Sequence, residues 1–394
     1  MPPTEPPYRL PNGAHVAECP EAGSRWVGIG LWLRAGSRFE RPDEAGWAHL
    51  LEHLWFRGGA RHDAAAVDRV CDRLGGHVNA ETGRELIGLW GLAPADRGPE
   101  LLELVTDLFL EPRFDDDDLA LERRLIGGET RMPGGDPLAT VADGLLDGLW
   151  GGHALARPIG GYDTTLARAD AAALHAWRRK RLAGPRTAGV VVGAGARGLA
   201  ERLAHSLASL PTKVGTTVPE PDAPRPHPPP PPRPAPPGPA GLLWAFPLPG
   251  WCHPDHTAAR LALTAIAGGP SALLPAALRR ETGAVYDLGC HLETAFDASA
   301  GFVQATAPSA AAVAAAIEER LNAVARHGLP EEMLATAHAQ HAAREALAET
   351  APVDAMRRYA WGLISGYDEA PARHVSPDVL AAFSPDWRWR AVIR

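Results

Sequence analysis

The chemistry in this chain centres on five residues, His49-Leu50-Leu51-Glu52-His53. On an α-helix, residues four apart share a face, with β-carbons about 5–6 Å apart. His49 and His53 would therefore present two imidazoles to one point, as a tetrahedral zinc ion needs. Glu52 follows His49 by about one turn on the same face, close enough to reach a metal-bound water without ligating. The order inverts the commoner His-Glu-x-x-His pattern. Trp47, Leu50, Leu51, Leu54 and Phe56 surround this trio, so the helix is expected to be buried on most sides. That disfavours a simple pair of surface histidines. A buried glutamate between two histidines needs a partner, and a cation is the simplest one.

A catalytic zinc site keeps a third protein ligand and one position open for water. The segment from Leu121 to Glu129 carries Glu122 and Glu129, seven apart and so two turns along one helix face. Exposed glutamate pairs are common on helices, and this segment alone does not choose a ligand. His77, His153, His227, His253 and His256 lack ligand spacing and read as structural or exposed. Gly193-Ala194-Gly195-Ala196 follows the strand-like Val190 to Val192, but no P-loop lysine accompanies it.

The elements that must hold these residues follow from periodicity. Val27, Ile29, Leu31 and Leu33 alternate with Gly28, Gly30, Trp32 and Arg34, the pattern of a half-buried strand. Helices are expected over His49 to Phe56 and over Ala64 to Leu74, the second stopped by Gly75-Gly76. Strand character returns over His77 to Leu92, and Leu101 to Leu110 is helical. Asp115 to Asp118 favours another helix start. Farther on, Leu242 to Phe246 reads as strand, Thr257 to Ala267 as helix, another helix ends near Glu281, and strands follow around Tyr286 and Phe302. Strands followed by helices in both halves predict an α+β fold of two similar layered domains, with a suspected internal duplication. Between them, Pro219 to Pro239 is dense in proline and reads as a semi-rigid polyproline II linker. The expected division is residues 1–218, a linker over 219–239, and residues 240–394.

Bulk properties narrow the class. The chain has 394 residues, enough for about two domains. With 45% hydrophobic and 22% charged residues it has a globular composition. The net charge is −8 and no Lys/Arg block offers a nucleic-acid footprint. The start of the chain lacks a signal-peptide pattern, and no apolar run is long enough to span a membrane. Cys19, Cys71, Cys252 and Cys290 have neither metal nor disulfide spacing. Reduced thiols in a cytoplasmic protein are the expectation.

The landmarks match a known family. Leu10-Pro11-Asn12-Gly13, Ala35 to Glu40, Gly46 to Gly58, Gly75 to Thr82 and Glu122-Arg123 to Glu129 occur in the first half. Leu278 to Tyr286 occurs in the second. In these the chain resembles the pitrilysin/insulinase-type (M16) zinc metallopeptidases, in particular the short subfamily of mitochondrial processing peptidase and its bacterial relatives. The resemblance implies zinc held by His49, His53 and Glu129, with Glu52 as the catalytic general base and Glu122 supporting the site without ligating. It places Asn79 and Ala80 on an edge strand that pairs with substrate backbone. It assigns Arg279 and Tyr286 to the pair that grips substrate from the second domain. It further implies a homodimer or a heterodimer with a homologous M16 subunit, enclosing a chamber for unfolded peptides. The expected function is a zinc-dependent endopeptidase acting on unfolded or leader-bearing peptides. The alternative is a catalytically silent or partner-dependent subunit that binds peptides. Three departures stand out: Gly127-Gly128 just before Glu129, a shortened region after Gly366, and the proline-rich linker.

Overall fold

A computed structural model describes residues 8–21, 23–75, 77–129, 137–215, 218–231, 234–235, 238–367 and 374–393, without the side chains of 128–129 and 137–139. The first half runs through β1 (Tyr8–Arg9), β2 (His15–Pro20), β3 (Trp26–Leu33), α1 (Trp47–Trp55), α2 (Ala64–Leu74), β4 (Val78–Thr82) and β5 (Ile87–Pro94). It continues with α3 (Gly98–Leu110), α4 (Asp116–Glu129), α5 (Pro137–Trp150), α6 (Ala171–Arg181), β6 (Thr187–Gly193) and α7 (Ala196–Leu207). The second half contains β7 (Ala240–Pro249), α8 (His256–Ala267), β8 (Asp287–Thr294), β9 (Ala298–Ala307), α9 (Ala310–His327), α10 (Glu331–Ala348), α11 (Pro352–Ser365) and β10 (Trp389–Ile393). The α+β expectation stands.

The strands form two sheets, ordered β1-β2-β6-β3-β5-β4 and β10-β7-β9-β8. Strands β6-β3-β5-β4 are antiparallel throughout, and so are β10-β7-β9-β8. In each set the strand second in order is followed by a helix and then by the hairpin that completes the other edge. The duplication suspected from element order is therefore present as topology.

The compact units do not follow chain order. One comprises residues 1–135, 158–221 and 347–366, and the other 136–157, 222–346 and 367–394. Helix α11 packs on β6 and β3 of the first sheet, while α5 packs on β10 and β7 of the second. These strands are topological equivalents, so each half gives the same helix to the other half's sheet. The contiguous division at residue 218 misses this exchange, because periodicity shows that a helix has an apolar face but not which sheet it covers.

The exchange also changes the character of β3. Its Val27, Ile29, Leu31 and Leu33 enter the main core, and seven of its eight residues are buried. A half-buried strand would leave Gly28, Gly30 and Trp32 facing water, but α11 covers that side with Met356 and Ala360, both fully buried. Trp32 lies flat where glycine makes room: a β-carbon on Gly30 or Gly88 would sit 2.4 Å from its indole. In the second unit β7 is likewise buried on both faces. Leu242, Trp244 and Phe246 meet α8 and α9, whereas Leu243 and Ala245 meet Leu146 and Leu149 of α5.

The proline-rich segment is tied down over part of its length. The His227 amide donates to Leu149 O at 2.8 Å, and Trp389 Nε1 donates to His227 O at 3.0 Å. His153 Nε2 lies 2.8 Å from Asp222 O. Within the second unit this stretch straps α5 to β10.

Candidate metal centre

Helix α1 is held at its start by groups outside it. Gly46 precedes it with φ +90°, and a β-carbon there would meet Gly160 O at 2.7 Å, so only glycine makes this entry. The buried Glu40 carboxylate accepts from Gly46 N at 3.0 Å and from Ala48 N at 2.7 Å. It thereby satisfies two amides of the first turn and complements the positive end of the helix. Trp47 Nε1 donates to Thr165 O at 3.2 Å, and Thr165 Oγ1 donates to Ala45 O at 2.6 Å. Leu50, Leu51 and Leu54 are fully buried, which leaves His49, Glu52 and His53 on the remaining face.

The two imidazoles meet edge to face, ring centres 4.7 Å apart, with Nε2 atoms separated by 3.3 Å. Two nitrogens at 2.0–2.1 Å from a tetrahedral zinc would be about 3.3–3.4 Å apart, so the pair fits two corners of such a site. His53 Nδ1 lies 3.1 Å from Glu122 Oε2. A carboxylate only accepts, so Nδ1 carries a proton, and in the neutral ring that leaves the lone pair on Nε2. Burial and the neighbouring His53 push the His49 imidazole down to about 4. That favours the neutral form a ligand needs, and among the described residues its buried Nδ1 has no hydrogen-bond partner.

Each of the other two carboxylates is oriented from a different element. Glu122 on α4 is 4% exposed and accepts from Arg57 Nε at 2.6 Å, with a closer contact to Arg57 Nη2. Glu52 Oε2 accepts from Thr82 Oγ1 at 2.5 Å. Sequence alone gives Thr82 and Arg57 no role, although both lie in the landmark stretches. Their types are common on strands and surfaces, and only the spacing to Glu52 and Glu122 marks them.

The remaining candidates divide by location. Strand β4 is the end strand of its sheet, and Asn79 and Ala80 lie on it, Asn79 exposed and Ala80 buried. Asn79 Oδ1 accepts from Ala80 N at 2.9 Å. Helix α4 continues through Gly127-Gly128 to Glu129, but the Glu129 side chain lies outside the described residues. Among the described residues no three His, Cys, Asp or Glu side chains are placed to hold a metal. Arg279 sits in a π-helical turn, Ala276–Glu281, of the second unit, and Tyr286 of that unit is 65% exposed. They are not in the unit that carries the histidines.

Residues 17–161 match the model of the insulinase (M16) peptidase family, and residues 168–340 that of the peptidase M16 inactive domain. The chain belongs to the M16 peptidase family. An uncharacterized zinc protease of Bacillus subtilis is 32% identical over 160 residues, which is 41% of this chain and 39% of that protein. One of Mycobacterium leprae is 32% identical over 185 residues, 47% of this chain and 41% of its own length. A probable mitochondrial-processing peptidase subunit beta of Arabidopsis thaliana is 32% identical over 136 residues, covering 34% of this chain and 26% of that one. The chain thus spans less than half the length of these curated M16 relatives. In fold, a protease from Helicobacter pylori superposes with a TM-score of 0.85 at 17% identity, covering 100% of this chain and 99% of that one. A Pseudomonas fluorescens structure described as a peptidase M16 inactive domain superposes at 0.77 with 18% identity, covering 98% and 97%. Among the described residues no helix is long and apolar enough to cross a membrane.

Proposed function

We propose that this M16 chain is a zinc-dependent endopeptidase that cleaves unfolded or leader-bearing peptides. The observation that carries the reading is the 3.3 Å approach of two Nε2 atoms, with Glu52 between the histidines in sequence. His49, His53 and Glu129 would hold the ion. When bound, zinc supplies a water of lowered pKa and a positive charge for the oxygen of the attacked carbonyl.

The chain's own groups do the rest. Glu122 holds the proton on His53 Nδ1 and so keeps Nε2 free for ligation. Glu52 takes the proton of the attacking water and hands it to the departing amine. Asn79 and Ala80 offer the backbone of an open sheet edge to an extended peptide. Arg279 and Tyr286 serve as substrate-gripping groups. The relatives that are named as a subunit beta and as a complex core protein support a dimer with a second copy or a homologous subunit.

Purified protein digesting unstructured peptides, with mass spectrometry of the products, tests this. Cleavage should stop with chelator and return with zinc. Glu52→Gln should keep stoichiometric zinc and lose cleavage, whereas His49→Ala or His53→Ala should lose zinc. Full activity in metal-free protein would sink the reading.

A further inference from the structure

Helix α1 fixes where Glu52 starts, but a glutamate has three rotatable bonds and loses up to about 2 kcal/mol of rotamer freedom when held. Its carboxylate is fixed from another element. The Thr82 Oγ1 to Glu52 Oε2 distance is 2.5 Å, at the short end of the about 2.5–2.7 Å expected for a hydroxyl on an ionised acceptor. A threonine hydroxyl has a single proton, and here it points to Glu52. Thr82 is itself rigid. It ends β4, pairs with Ile87 in the ladder, and follows Glu81, which is held by Arg357 and Trp32. Along β4, Ala80 and Thr82 share the face toward α1, while Asn79 and Glu81 point the other way.

Resting on the peptidase reading above, we propose that Thr82 is a positioning residue for the general base. Its hydroxyl holds one oxygen of Glu52 and so sets the direction of the carboxylate. The strand offered to substrate thereby also orients the base. Docking a peptide on β4 stiffens the strand that carries Thr82, so binding and base alignment are coupled. Sequence spacing alone does not reveal this, since residues 52 and 82 meet only through packing of α1 on the sheet edge.

The test has two arms. In metal-free protein, Thr82→Val removes the hydroxyl at nearly constant shape. It should lower Tm by about 2–4 °C alone and by less than about 1 °C in a Glu52→Ala background. In zinc-loaded protein, Thr82→Val should lower kcat about 10–100-fold with KM within about threefold. Zinc affinity by chelator competition should stay within about threefold of wild type, and Thr82→Ser should recover most of kcat. An active wild type, killed by Glu52→Gln but indifferent to Thr82→Val, would overturn the proposal alone. So would loss of zinc in Thr82→Val, or no recovery by serine. Wild-type cleavage that ignores both chelator and Glu52→Gln would overturn the peptidase reading and this role with it. The Tm cycle would still report the contact.

Discussion

Arg357 donates from Nε to both carboxylate oxygens of Glu81, at 2.9 and 3.1 Å, and from Nη2 to Oε2 at 2.5 Å. Arg357 stands on α11 and Glu81 on β4, so a residue late in the chain clamps the open edge of the first sheet. Trp32 Nε1, lying on its glycine floor, donates to the same carboxylate at 3.0 Å.

Arg357→Ala should therefore act locally. The pair's side chains are 39% and 28% exposed, so the loss of global stability should stay near about 1 kcal/mol. Amide exchange over Val78 to Thr82 should speed up by more than that predicts. KM should rise about 3–10-fold with a smaller change in kcat. Unchanged exchange in β4 would remove the clamp from the account.

Glu122→Gln should weaken zinc binding about 10–100-fold, since the amide no longer fixes the His53 tautomer by charge. Glu129→Gln, by contrast, should abolish stoichiometric binding. Arg57→Ala leaves Glu122 buried without its cation and should cost about 3 kcal/mol of stability. Chelator competition and denaturant unfolding of the metal-free protein separate these effects. Equal zinc affinity in the Glu122 and Glu129 variants would contradict the assigned division of labour.

Acid should destabilise the fold through His15. Burial first, and then the charge of Arg9, holds this imidazole below its ordinary value. As pH falls below about 6.5 the unfolded chain takes up a proton that the folded chain still refuses, so stability declines. In metal-free protein, His15→Leu should flatten the slope of unfolding free energy between pH 6.5 and 5. An identical slope in both proteins would assign the acid sensitivity elsewhere.

A chain ending at residue 221 holds the whole first sheet but not α11. It should fail to unfold cooperatively and should aggregate, because the side of β3 and β6 that meets Met356 and Ala360 would lie open. Co-expression with residues 222–394 should restore a soluble one-to-one complex, read by size and circular dichroism. Cooperative, monomeric folding of residues 1–221 alone would argue against this dependence.

Much of the centre was legible in the sequence. The i, i+4 histidines and their apolar flanks predicted α1 and its bare face, and the run from His77 to Leu92 became the β4–β5 hairpin. Legibility ended where partners are set by packing between distant segments. Thr82 and Glu52 are thirty residues apart and ordinary in type. The proline run read as a spacer because its composition excludes ladders, but composition does not show that His227 still spends its amide on Leu149. The exchanged helices were illegible for the same reason, since an apolar stripe names no partner.

That exchange has a consequence for synthesis. Strand β6 completes the first sheet at Gly193, and its covering helix ends at Ser365. At about 5–20 residues per second, roughly 9–34 s of translation separate the two. Throughout that interval the nascent sheet presents the bare side of Trp32 and Val192 to the ribosome's surroundings, while α5 waits for a sheet not yet made. Both gaps close only after the second half has been made, so the growing chain exposes apolar surface that the finished fold covers.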